Sequence, residues 1–135
     1  MIRNSLTTFT LVAALVFIAS PTLVSAQDIE SVMPFKVGTF AINDILTVGL
    51  VVQNDELVVD LDAANRALEL IPRYSQVSMP EDMLGLISNY EYGLKYRVYE
   101  IVNHLVAENL LGSADRPAYV HSVGSVEIMA PILYP

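Results

Sequence analysis

The sequence predicts one α+β domain, in which a three-stranded antiparallel meander is followed by three helices and a short C-terminal strand. Three observations support this order. β-Branched runs separated by polar turns fill residues 35–59, apolar residues then recur at helical spacing up to residue 111, and short β-rich runs return before the C-terminus. Strands followed by a block of helices are typical of the α+β class, and 135 residues are enough for one such domain.

The meander is predicted from two polar turns. Residues 35–42 and 45–52 are extended in character and are joined by Asn43 and Asp44, a pair that favours a tight hairpin turn. A second polar turn at 53–56 leads into a third strand at 57–59. We therefore expect three neighbouring antiparallel strands.

The first two helices are predicted from capping residues and periodicity. Asp62 is positioned to cap a helix that buries Ala64 and Leu68 and ends at Pro72. Residues 78–81 then have the spacing of a capping box, which predicts the start of a short second helix. The residues expected to face inward from this second helix are Met83, Leu84 and Ile87.

The longest predicted helix covers residues 90–111, with Gly112 as its C-terminal stop. Its apolar stripe consists of Leu94, Val98, Ile101, Val102 and Leu105. Short strands are predicted at 119–122 and 126–129.

The N-terminus has the three features of a secretory signal peptide. Arg3 supplies a positive charge, residues 11–19 are uninterrupted apolar residues, and Val24-Ser25-Ala26 has the small-residue pattern of a cleavage site. Residues 1–26 are therefore predicted to be a signal peptide and residues 27–135 the exported domain, in the periplasm or the extracellular medium. The alternative is an uncleaved membrane anchor, although the apolar stretch is short for a span of about 20 residues.

Composition excludes several classes of function. The formal net charge is -8, which argues against nucleic acid as a partner, because phosphate contacts require clustered Lys and Arg. Cysteine is absent from the sequence, so disulfide scaffolds, thiolate metal sites and cysteine nucleophiles are excluded. Ser113 and Ser125 do not fit a nucleophile-elbow motif, and no phosphate-binding loop is present.

Two groups of side chains could in principle hold a metal ion. Glu100, His104 and Glu108 recur at four-residue spacing on the third predicted helix, but a solvated helix face is the favoured interpretation. The second group is acidic and surrounds the third strand: Asp55, Glu56, Asp60 and Asp62. The calcium-loop ligand pattern breaks after it, so capping and turn roles are favoured.

Two further features suggest contacts rather than chemistry. Tyr92, Tyr96 and Tyr99 recur at spacings of four and three, giving the third helix an aromatic edge. We expect these tyrosines to lie at the rim of the hydrophobic core, and the alternative is that they form a surface that binds a partner. His121 stands alone on a strand, where packing or surface hydrogen bonding is expected.

Six stretches, in order along the domain, resemble the N-terminal domain of the fumarylacetoacetate hydrolase family, in a subgroup that carries an export signal. These stretches are 36–40 (KVGTF), 48–51 (VGLV), 58–64 (VVDLDAA), 80–83 (PEDM), 90–94 (YEYGL) and 126–132 (VEIMAPI). The resemblance implies a metal-dependent hydrolase, using Mg, Mn or Ca, that cleaves a carbon–carbon bond in acylpyruvates or related diketo acids.

The resemblance also implies that catalysis belongs elsewhere. In the family, the metal ligands and the His/Glu pair that activates water lie in a larger C-terminal domain, and their motifs have no counterpart in this sequence. No catalytic, cofactor-binding or metal-binding residue is therefore assigned, and we expect an accessory domain that is inactive alone. The implied partner is that catalytic domain or a second copy of the chain, with no nucleic acid and no membrane after signal cleavage. The alternative is a small secreted binding or assembly module without enzymatic activity.

Overall fold

A computed structural model describes residues 29–132, which form a five-stranded antiparallel sheet with helices against one face. The predicted signal peptide and the last three residues lie outside the described part of the chain. The strands are β1 (Lys36–Ile42), β2 (Ile45–Val52), β3 (Leu57–Asp60), β4 (Val120–Ser122) and β5 (Glu127–Ile128), in the order β4-β3-β2-β1-β5. The α+β class is confirmed.

The extent of the predicted sheet was wrong. The meander of β1, β2 and β3 forms its centre, but β4 pairs with β3 and β5 pairs with β1, so that both ends of the sheet are formed by residues from the C-terminal part of the chain. Strands of two and three residues are held by pairing with distant segments, and local sequence pattern gives little sign of such pairing.

The turns of the meander use polar residues in the left-handed region. Asn43 and Asp44 have φ values of 50° and 63°, as a two-residue hairpin turn with the twist of the strands requires. Gln53, Asn54 and Asp55 are also left-handed, with φ of 54°, 54° and 68°. This turn geometry sets the register of both hairpins: Ile42 lies opposite Ile45 in the first, and Val52 lies opposite Leu57 in the second.

Helix α1 (Leu61–Glu69) begins directly after β3, and its N-cap is Asp60 rather than the predicted Asp62. The Asp60 carboxylate accepts a hydrogen bond from the Ala63 N–H at 3.1 Å. Asp62 lies in the first turn and pairs instead with Arg66, four residues later, at 2.7 Å. The helix ends at Glu69, before the predicted stop at Pro72.

Helix α2 (Met83–Asn89) is capped by Asp82, whose carboxylate accepts from the Gly85 N–H at 2.8 Å. The predicted capping box at residues 78–81 therefore does not cap it. Met83 is buried as expected, but Leu84 and Ile87 are exposed and Leu86 is the second buried residue. Met83 and Leu86, three residues apart, share the face that packs on the core, whereas Leu84 and Ile87 share the neighbouring face.

The predicted helix over 90–111 is broken at Gly93, which has φ of 113°. The regular helix α3 covers Lys95–Ala107, and the left-handed residue that stops it is Asn109 rather than the predicted Gly112. Asn109 is left-handed, with φ of 54°, and the Leu110 N–H bonds the Leu105 carbonyl at 2.9 Å, the pattern of a Schellman motif.

The main core lies between the sheet and the helices, and the predicted apolar stripe of α3 is confirmed within it. Its buried members from the preceding turn and α3 are Leu94, Val98, Ile101, Val102 and Leu105. Phe40, Ile42 and Val58 form a smaller cluster on the opposite face of the sheet. Within residues 29–132 no helix is both long and apolar enough to cross a bilayer.

Candidate functional site

An open groove lies where β2 extends beyond β3. β3 pairs with only Gly49–Val52, because the chain leaves the sheet after Asp60 to form α1. The preceding half of β2, Ile45–Val48, is therefore paired only with β1. The groove beside it has a volume of about 1030 Å³, at the upper end of the range for ligand pockets.

The register of the hairpin determines which backbone groups of β2 face the groove. The two-residue turn makes Ile42 and Ile45 a hydrogen-bonded pair, so the N–H and C=O of Ile45 and Thr47 face β1. The alternating pattern then turns the backbone groups of Leu46 and Val48 away from β1. Val48 is 3% exposed and its carbonyl is used where the ladder with β3 ends at Gly49 and Asp60, so Leu46 is the residue of this edge whose donor and acceptor face the groove.

The opposite wall consists of α1 and the segment 76–81, and hydrogen bonds tie these two elements together. The Asn65 amide donates to the Val77 carbonyl at 2.8 Å and to the Glu69 carboxylate at 3.1 Å. Glu69 in turn accepts from the Val77 N–H at 2.7 Å. This irregular segment is therefore fixed against α1 without belonging to a helix or strand.

A buried arginine holds the residue just before this segment. Arg97 on α3 is 2% exposed and donates from Nη2 to the Ser75 carbonyl. Its Nη1 lies 3.3 Å from the Glu100 carboxylate, close enough for an ion pair although not aligned as a hydrogen bond. Pairing of this kind is what permits a guanidinium in a protein interior.

The groove is acidic. Asp60, Asp62, Glu69 and Glu81 line it, whereas Arg66 is its one lining residue with a permanent positive charge. Asp62 already pairs with Arg66. The potential in the groove is therefore negative, and a cationic ligand is favoured there.

The floor near β3 is built from polar contacts that local pattern could not reveal. The Thr47 hydroxyl donates to Asp60 Oδ1 at 3.2 Å, which links β2 to the cap of α1. Tyr119 and His121 close the β4 end, and burial raises the pKa of the Tyr119 hydroxyl. The Asn65 Oδ1 atom is buried and has no hydrogen-bond partner among residues 29–132.

The three residues considered as a possible metal set, Glu100, His104 and Glu108, do not form one. Glu100 is engaged by Arg97, and the His104 ring packs edge-on against Tyr74 with centroids 6.0 Å apart. Burial lowers the pKa of His104, with Arg73 acting in the same direction and Glu108 opposing it. No group of three or more potential ligands that could hold a metal lies within residues 29–132.

Asp55, Glu56 and Asp60 have turn and capping roles of the predicted kind, whereas Asp62 does not cap α1 and pairs with Arg66. Asp55 lies in the turn between β2 and β3 and pairs with Lys36 at 2.6 Å, while Asp60 caps α1. Sequence analysis did not identify Asn65 or Arg97 as functional. The one sequence feature that could have pointed to them is a polar residue at a helical position that faces the core. Asn65 lies on the same face of α1 as Leu61, and Arg97 lies beside Val98 on α3.

The predicted tyrosine edge is divided by the break at Gly93. Tyr92 has non-helical backbone angles and is 89% exposed, so it does not continue the helical spacing of Tyr96 and Tyr99. The Tyr99 ring packs edge-on against Phe35. Burial and the neighbouring Tyr99 hydroxyl raise the pKa of Tyr90 to about 12.

Comparison of the chain with protein-family models, curated proteins and solved structures gives no match. The functional assignment therefore depends on the geometry of the groove and on the residues that surround it.

Proposed function

We propose that this protein is an exported accessory domain of a fumarylacetoacetate hydrolase-like protein, and that it acts by association rather than by catalysis. The observation that carries the proposal is the groove beside the half-paired strand β2, whose walls are fixed by buried polar contacts. Such a groove is suited to holding another polypeptide segment.

The resemblance to the family supports the same assignment, because three of its six stretches reach this groove. Val48 belongs to the stretch 48–51, Asp60 and Asp62 to 58–64, and Glu81 to 80–83, and all four line the groove. The corresponding partner is the C-terminal catalytic domain of the family or a second copy of the chain. That catalytic domain would supply the divalent metal site, in the periplasm or the extracellular medium.

The proposal is tested by activity and association together. The purified protein is incubated with an acylpyruvate and Mg, Mn or Ca, and cleavage is followed by loss of the diketo absorbance. We expect no turnover above buffer, and we expect complex formation when a catalytic domain of the family is added. Metal-dependent turnover by this chain alone would disprove an accessory role, and absence of any complex would remove the family partner.

A second candidate function is a secreted binding or assembly module with no enzymatic relatives. The observation in its favour is the set of apolar side chains exposed on α2 and at the following break, namely Leu84, Ile87 and Tyr92. Analytical ultracentrifugation tests it with Tyr92→Ala, using Leu70→Ala as a matched exposed control. Loss of self-association in Tyr92→Ala alone supports this function, and a monomeric parent protein excludes self-assembly through this surface.

A further inference from the structure

We propose that the N-terminal strap, residues 29–35, binds the face of α3 formed by Tyr99 and Asn103 in a second copy of the chain, so that two copies are joined by reciprocal exchange of their straps. In the single chain, the strap of the same copy lies on this face. The inference goes beyond the proposed function, because this face is separate from the groove beside β2 and does not depend on the family assignment.

The first argument is that this face of α3 binds a peptide backbone. The Asn103 side chain accepts a hydrogen bond from the Val32 N–H through Oδ1 and donates one to the Glu30 carbonyl through Nδ2, both at 2.8 Å. One carboxamide therefore uses its donor and its acceptor on backbone groups of residues two apart. Such a contact fixes the register of a bound segment, and it would be the same for the strap of any copy.

The second argument is that side chains of the strap give this face a sequence preference. Met33 and Phe35 are partly buried and pack against the main core. The Phe35 ring also packs edge-on against Tyr99, with the ring centroids 6.0 Å apart. The strap is therefore complementary to this face through its backbone and its side chains, and a second copy supplies a strap with the same sequence.

The third argument is that the strap can leave without disrupting the sheet. It precedes β1 and belongs to no helix or strand, and none of its residues is fully buried. A cavity of about 410 Å³ is lined by strap residues and Tyr99, so the strap is not closely packed there. Both bonds from Asn103 are exposed to solvent, where each contributes little net free energy. A terminal element that is released this readily can be exchanged between copies.

The fourth argument is that the strap is partly ordered by its own contacts and carries little charge. Ser31 Oγ donates to the Met33 carbonyl at 2.6 Å, and the ring of Pro34 restricts the backbone beside it. A segment that is ordered before binding loses less conformational entropy when it binds. Glu30 is the one charged residue of the strap, so the strap itself adds little to the repulsion between two acidic chains.

The test places one nitroxide spin label on the strap, which is possible because the sequence has no cysteine. Val32→Cys protein at natural isotope abundance carries the label, and it is refolded from urea together with isotope-labelled parent protein. A strap on its own chain has an effective concentration on the order of millimolar, so the total protein concentration is about 1 mM. We expect the amides of residues 99–106 in the isotope-labelled copy to lose at least about one fifth of their NMR intensity.

The matched control carries the same label at Leu70→Cys, because Leu70 is 85% exposed and lies outside the strap, at the C-terminal end of α1. This label should cause no selective loss at residues 99–106. Absence of loss with the Val32 label would show that each strap stays on its own copy, and the proposal would be wrong. Equal loss with both labels would show non-specific association and would also overturn it.

Two changes to the mixture test which contacts hold the exchanged strap. Asn103→Ala in the isotope-labelled copy removes both bonds and should reduce the intensity loss at least about fivefold, whereas Asn89→Ala removes an exposed bond to Gly85 and should leave it unchanged. Excess synthetic peptide with the sequence of residues 29–35 should suppress the loss, and a scrambled peptide should not. Equal effects of the two variants, or equal suppression by the two peptides, would mean that this face does not recognise the strap and would refute the exchange.

Discussion

Replacing Gly49 by alanine is expected to disrupt the smaller cluster on the outer face of the sheet. A Cβ at Gly49 would lie 2.7 Å from Phe40 Cδ2 and 2.8 Å from Val58 Cγ1, much closer than van der Waals contact. Phe40 and Val58 are both buried. The Phe40 ring also lies against Gly38 on β1, where an added Cβ would be 3.1 Å from Phe40 Cε2. The Phe40 ring therefore has little freedom to move away.

The cost follows from two opposing effects. Overpacking of a buried cluster destabilises a protein by about 1–3 kcal/mol, and loss of glycine's freedom in the unfolded chain returns about 0.4–1 kcal/mol. We expect a net loss of about 1–2 kcal/mol in the free energy of unfolding, which for a domain of this size lowers the melting temperature by about 5–15 °C. Urea and thermal unfolding followed by circular dichroism measure both quantities.

Gly124→Ala is the matched control, because an added Cβ there meets no atom within 4 Å. It should raise the free energy of unfolding by about 0.4–1 kcal/mol, the unfolded-chain effect without the overlap. Adding Phe40→Leu to Gly49→Ala should cost less than the sum of the single changes by at least about 0.5 kcal/mol, since the smaller side chain relieves the overlap. A Gly49→Ala variant as stable as Gly124→Ala would refute the reasoning.

Three further changes test the contacts that fix the helices and the irregular segment. Arg97→Met keeps most of the buried volume but leaves the Ser75 carbonyl without its donor, so urea unfolding should show a loss of about 1–3 kcal/mol; unchanged stability would mean that this contact contributes nothing net. Asp82→Ala should lower the free energy of unfolding by about 1 kcal/mol because it removes the N-cap of α2, whereas Ser78→Ala should be nearly neutral. A larger loss for Ser78→Ala than for Asp82→Ala would show that the capping box at 78–81 is the true cap. Burial lowers the pKa of His104 from 6.5, so as the pH falls below about 6.5 the unfolded chain takes up the proton first. Stability should therefore decline between that pH and the lower pKa of the folded state, and His104→Gln should flatten that part of the stability profile; an unchanged profile would contradict the assignment.

Much of the central architecture was predictable because its causes are local. Asn43 and Asp44 tolerate left-handed backbone angles, so the first hairpin and its register could be inferred from the turn itself. The apolar spacing from Leu94 to Leu105 likewise specified the buried face of α3. Each of these inferences depends on residues that are neighbours in sequence.

Helix ends were less predictable because several residues could serve as caps. Asp60, Asp62, Ser78 and Asp82 are all chemically capable of capping, and the backbone path before each helix decides among them. At α2 the packing against the core also selected the face with Met83 and Leu86 and left Leu84 and Ile87 exposed.

The order of strands and helices, the acidic charge and the main apolar stripe were inherent in the amino-acid sequence, because propensity, turn chemistry and periodicity act over a few residues. The groove was decided only by the fold. The groove exists because β3 ends at Asp60, opposite Gly49, whereas β2 begins four residues earlier at Ile45. Its far wall is held in place by Asn65, which bonds Val77, and by Arg97, which bonds Ser75. Such a site depends on the relative lengths and placement of elements far apart in the chain, and those are set when the core packs.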